Sequence, residues 1–235
     1  MKKIRFYKDE MMEVEIYKLV DFYDPILRQP TVPVKLETHD DFEYARKLAF
    51  NLASTLGEYQ GLGLSANQVG LKDRVCVINM GDEVWSLFNP EITERSAVPS
   101  KYQEGCLSYP GLFLNVDRSE WIKVKFQAVG GQWVEEKFSG LTAVCIQHEI
   151  DHLDGIMYTD KVSHIKLEQA KRKIKKNLKK MREASIQYAR QQELAEQQKK
   201  QQQSEQKPKI QIVGVDTAPV QIKTPEKFVY NPIPS

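Results

Sequence analysis

Five residues, HEIDH from His148 to His152, narrow the folds open to this chain more than anything else in it. They fall in a stretch from about Ser139 or Gly140 to Leu153 whose other residues, Leu141, Ala143, Val144, Cys145, Ile146 and Ile150, are apolar on nearly every side. A helix of that kind belongs in the middle of a domain, and Gly155 is placed to stop it. With 3.6 residues per turn, positions i and i+4 share one face. Two imidazoles can therefore converge on one metal ion while Glu149 sits one residue off that axis. This is the geometry of metal-assisted hydrolysis. Two histidines serving only as buried polar groups would need partners that these apolar surroundings do not offer.

Two imidazoles leave a tetrahedral site one protein ligand short. Cys106, in EGCLS (Glu104 to Ser108), is the candidate, because a thiolate is a soft ligand suited to zinc or ferrous iron. Taken alone, a cysteine is more often a small buried hydrophobe, and Cys76 and Cys145 read that way, Cys145 at most lining a pocket. Three cysteines are too few for a disulfide framework, which favours a reducing compartment. The segment GLGLSANQVG, Gly61 to Gly70, superficially fits a dinucleotide fingerprint. That motif needs a strand before it and a helix after it, whereas here a helix precedes and RVCVIN follows. Glycines at a pocket rim let backbone approach a ligand closely, and Gln68 offers both a donor and an acceptor.

In this order, GLGLSANQ, EGCLS and HEIDHLDG resemble the three signature motifs of peptide deformylases, and YDPILRQP (Tyr23 to Pro30) is similar to that family's N-terminal segment. The resemblance spans roughly Leu19 to His164, with Ser65 standing where Ala is usual. It implies a metal-dependent hydrolase that removes the formyl group from the N-terminal formyl-methionine of nascent polypeptides, releasing formate. It further implies that Cys106, His148 and His152 bind Fe(II) or Zn(II). Glu149 would be the general acid/base, and Gln68 and the Leu107 N–H would stabilise the carbonyl oxygen. Glu104 would pair with Arg118 to hold the cysteine segment. Leu141, Val144 and Cys145 would line the methionine slot, while Leu62 and Gly63 bind the peptide main chain. An HExxH metallopeptidase is the rival reading, but it takes a third His or a distant Glu and leaves EGCLS unexplained. A non-catalytic descendant would be expected to have lost one of these residues, and all are present.

The expected fold is α+β and deformylase-like, with antiparallel strands around the central helix and a helix near the C-terminus. A first helix is expected from Asp40 or Asp41 to Gly57, with strands at 74–79 and 85–88. A hairpin of 121–129 and 132–138 turns at Gly130-Gly131, and EGCLS is expected in a loop before it. We expect a catalytic domain over 1–164, a basic then Gln-rich helical or low-complexity extension over 165–207, and a Pro-rich flexible tail over 208–235. Nine glutamines between Gln187 and Gln206 should leave that part frayed. Charge is distributed unevenly. Residues 161–182 hold ten basic side chains against one acid, Glu168, a local charge of +9 in a chain of net +2. A mildly acidic body thus carries a basic segment, which suits ribosomal RNA as a partner. No run approaches the roughly 18 apolar residues of a membrane span, and the start lacks a secretory pattern, so a cytoplasmic monomer is expected.

Overall fold

The computed structural model describes residues 14–205. The first helix, α1 (His39–Glu58), is capped by Thr38 rather than by either aspartate. Thr38 Oγ1 accepts from the Asp41 N–H at 3.2 Å, and Asp41 Oδ2 accepts from the Thr38 N–H at 2.9 Å. That reciprocal pair satisfies two main-chain donors at once, so Thr38 outcompetes Asp40 for the cap.

Among the described residues seven strands follow: β1 (Gly63–Ser65), β2 (Val75–Asn79), β3 (Val84–Arg95), β4 (Pro99–Cys106), β5 (Tyr109–Ser119), β6 (Trp121–Gln127) and β7 (Trp133–Ser139). Five form an antiparallel sheet in the order β1-β2-β3-β6-β7, and β4 and β5 pair as a separate hairpin. The helix α2 (Gly140–Leu153) comes next, then α3 (His164–Glu205).

The uninterrupted apolar run of β2 is explained by burial on both faces. Val75 and Val77 pack with Leu48, Leu52 and Leu56 of α1, while Cys76 and Ile78 pack with Ala143, Ile146 and Ile150 of α2. Because side chains alternate along a strand, one five-residue segment serves two cores, and α2 is covered where it must be to hold polar groups out of water. The hairpin forms a third cluster, in which Leu112, Leu114 and Val116 alternate inward and meet Cys106 and Tyr158.

Two expectations change here. EGCLS is not a loop. Cys106 is the last residue of β4, paired with Tyr109 across the tight turn of the β4–β5 hairpin. Prolines 99 and 110 and glycines 105 and 111 masked both strands by composition, and only the Leu112, Leu114, Val116 alternation betrayed them. The glutamine-rich stretch is helical to Glu205, since Gln, Lys, Glu and Ala are good helix formers even where they build no core.

Contacts divide the chain into two units, 1–181 and 182–235. Within the first, Leu167, Ala170 and Ile174 at the start of α3 pack on the hairpin cluster. The Pro-rich tail lies outside the described residues.

Candidate active site

Three elements deliver the polar groups that the sequence separates. α2 supplies His148, Glu149 and His152, β4 ends on Cys106, and a single helical turn at Ala66–Val69 carries Gln68. One ligand atom from each of Cys106, His148 and His152 lies within 4.8 Å of the others. Cys106 Sγ is 3.2 Å from His152 Nε2, and the imidazoles meet edge to face with centroids 4.8 Å apart. Gln68 Nε2 donates to Ser108 Oγ at 3.2 Å and faces Cys106 Sγ at 3.5 Å.

Behind these groups lies an ionic chain that is buried at Glu104, Arg118 and His148. Glu104 accepts from Arg118 through both carboxylate oxygens, at 2.6 and 2.9 Å, and its Oε2 meets His148 Nδ1 at 2.9 Å. With Nδ1 donating to that carboxylate, His148 Nε2 is left as the free ligand atom. Arg118 also pairs with Asp151, which pairs in turn with Lys161 at 3.0 Å. Burial alone would raise the Glu104 carboxyl, but hydrogen bonds from Arg118 and His148 override it and hold it down at about 2. Burial would likewise lower His148, yet its contacts with Cys106 and Glu104 and the charge of Glu149 carry it up to about 10. His152 is pushed down by burial and by the neighbouring His148. Burial pushes Glu149 up to about 7.

The donor set fits a divalent ion. A tetrahedral ion with bonds of roughly 2.0–2.3 Å holds its donors roughly 3.3–3.8 Å apart. The Cys106 to His152 separation of 3.2 Å falls just below that range, and all three donor atoms lie within 4.8 Å of one another. A buried atom beside the three donors, Glu149 Oε2, has no protein partner. Such an orphan is rare in folded interiors and calls for a ligand, ion or water.

The site opens into a cavity of about 570 Å³. Leu62, Gly63, Leu141, Val144 and Cys145 all line it, as do Gln68, Glu104, Leu107, His148 and Glu149, whereas His152 and Arg118 sit behind the wall. β1, one of the two edge strands of the sheet, contributes Gly63 to the cavity lining. A Cβ on Gly63 would stand 2.6 Å from Glu149 Oε1 and 2.7 Å from Cys145 Sγ, so only glycine lets this strand approach the carboxylate. Sequence reasoning missed Tyr102, Gln103 and Phe113, which also line the cavity, because their strands went unrecognised. It also missed Ser108 as the acceptor for Gln68. Phe113 carried a signal, being the outward residue between Leu112 and Leu114.

Comparison with known proteins identifies the family. The family model described as Polypeptide deformylase matches residues 16–169. A peptide deformylase of Alkalilimnicola ehrlichii is 39% identical over 165 residues, covering 68% of this chain and 90% of the relative. The crystal structure of peptide deformylase from Thermotoga maritima superposes with a TM-score of 0.60 at 38% identity, over 63% of this chain and 99% of that one. A Met-Ala-Ser-bound class I type b peptide deformylase from Acinetobacter baumannii gives 0.59 at 30% identity, over 64% and 100%. This chain belongs to the polypeptide deformylase family, whose members remove the N-formyl group from nascent polypeptides.

Proposed function

We propose that in this chain Cys106, His148 and His152 hold one divalent ion, Fe(II) or Zn(II), and that Glu149, Gln68 and Leu107 carry the deformylation. The observation that supports this most is the convergence of a thiol and two imidazoles beside a buried carboxylate with an unpartnered oxygen, at the floor of an apolar cavity. An ion bound there supplies Lewis acidity, so that water attacks the formyl carbon at neutral pH. Glu149 takes the proton from that water and returns it to the departing amine nitrogen, leaving formate and a free N-terminus. As the formyl carbon becomes tetrahedral, its oxygen gains negative charge, which the Leu107 N–H and Gln68 Nε2 stabilise. Removing one such donor costs about 3 kcal/mol of barrier.

Recognition divides between side chain and main chain. Leu141, Val144 and Cys145 offer an apolar slot to the methionine, and the Leu62–Gly63 edge takes the peptide backbone as an added strand. Glu104 and Arg118 act indirectly by fixing His148 and the cysteine strand. The substrates are formyl-methionyl nascent peptides. The decisive experiment measures formate release from formyl-Met-Ala-Ser by anaerobically purified protein, with metal content determined in parallel. Turnover of the formyl peptide, with an internal peptide bond left intact, is expected. Cleavage of the internal bond instead would sink the reading.

The basic segment 161–182 supports docking of a cytoplasmic monomer on the ribosome. Its charge of +9 attracts a polyanion, and 175–180 are exposed. Among the described residues no helix is long and apolar enough to cross a membrane. Replacing Lys175, Lys176, Lys179 and Lys180 by Gln is expected to abolish salt-sensitive co-sedimentation with ribosomes. Unchanged co-sedimentation would remove this partner.

A further inference from the structure

Ser65 ends β1, is fully buried, and occupies the position where the resembling motif usually carries Ala. Its main-chain N–H and its hydroxyl both meet one atom, Gln68 Oε1, at 2.9 and 3.0 Å. The main-chain N–H can only donate. It therefore identifies the Gln68 atom it meets as the amide oxygen and puts the NH2 group on the opposite side, toward Ser108 and Cys106. A buried hydroxyl must also find an acceptor. Gln68 Oε1, at 3.0 Å, is the acceptor that the hydroxyl's single proton meets.

We infer that Ser65 is a positioning residue that clamps the Gln68 amide oxygen at two points and so aims its NH2 group at the oxygen of the reacting formyl group. The inference rests on the role given to Gln68 above. With Ala at this position the main-chain contact alone would hold the amide, whose terminal torsion is broad and two-fold. The hydroxyl supplies the second point and narrows that torsion. An interaction of this kind is spent where charge develops, in the transition state, and contributes little to ground-state peptide binding.

The test is a double-mutant cycle on the full chain, loaded with one metal and assayed with formyl-Met-Ala-Ser. Ser65→Ala is expected to lower kcat about three- to tenfold, the worth of one hydrogen bond, with KM changed by less than about twofold. Metal content should match wild type. In a Gln68→Ala background the same substitution should cost nothing further, because its effect runs through that amide. The idea is overturned by an unchanged kcat in Ser65→Ala, by an effect on KM alone, or by equal losses in both backgrounds. A Gln68→Ala variant as active as wild type removes the role of Gln68 itself, and with it the clamp. That failure is read from the single variant and is distinct from the others.

Discussion

Glu149→Gln is expected to lower kcat/KM for a formyl-Met peptide by roughly 100- to 10,000-fold, the usual worth of a positioned acid/base. Glutamine preserves the shape of the side chain but can neither accept nor return the proton. Metal content should stay at the wild-type level, because Glu149 is not among the three convergent ligand atoms. Stability should not fall either. Glu149 is 3% exposed, one of its oxygens has no partner, and burial raises its carboxyl from 4.5 to about 7. A raised acid binds its proton more tightly when folded, so in the metal-free protein it erodes stability as pH climbs from about 4.5 through about 7. The glutamine variant lacks that titration, and its metal-free melting temperature should hold better across this interval. Full activity in the variant would refute the acid/base assignment, and lost metal would move Glu149 into the ligand set.

Arg118→Leu is the substitution expected to cost most in stability. Arg118 is 4% exposed and meets two carboxylates, Glu104 and Asp151, of which Glu104 is itself buried. Removing the guanidinium leaves Glu104 with only His148 and Asp151 with only Lys161, and breaking a buried pair typically costs about 3–5 kcal/mol. Urea unfolding of the metal-free variant should show this as a lower midpoint. The same change frees Glu104 from the orientation that directs His148 Nδ1, so metal affinity should drop by roughly 10- to 100-fold, as for other residues that orient a ligand. Arg118→Lys should recover only part of either loss, since an ammonium cannot make the two parallel bonds seen at 2.6 and 2.9 Å. An unfolding midpoint equal to wild type in Arg118→Leu would show that the ion chain contributes nothing to stability.

Much of the fold was legible because periodicity and turn chemistry are local. The all-round apolar character of 140–153 announced a central helix, and the Gly130-Gly131 pair announced a hairpin, which the structure closes with Gln127 opposite Trp133 and Gly131 at φ 82°. β2 was legible as a strand although not as one that faces two cores. The hairpin of β4 and β5 stayed hidden because prolines, glycines and charges dominate its sequence, and its inward residues earn their burial from Tyr158 and α3, more than 40 residues downstream. The cavity lining contributed by Tyr102, Gln103 and Phe113 was lost with it.

The amino-acid sequence by itself determined the chemistry: which side chains could grip an ion, which could move a proton, and that two imidazoles four residues apart share a helix face. Tertiary structure alone decided the rest. It brought Cys106 within 3.2 Å of a histidine 46 residues away, let Gly63 approach Glu149, and linked the buried pair Glu104 and Arg118 to the half-buried Asp151. The reason is physical. Residue type and helical pitch are local properties, whereas desolvation and the pairing of distant charges exist only once separate strands and helices share a core.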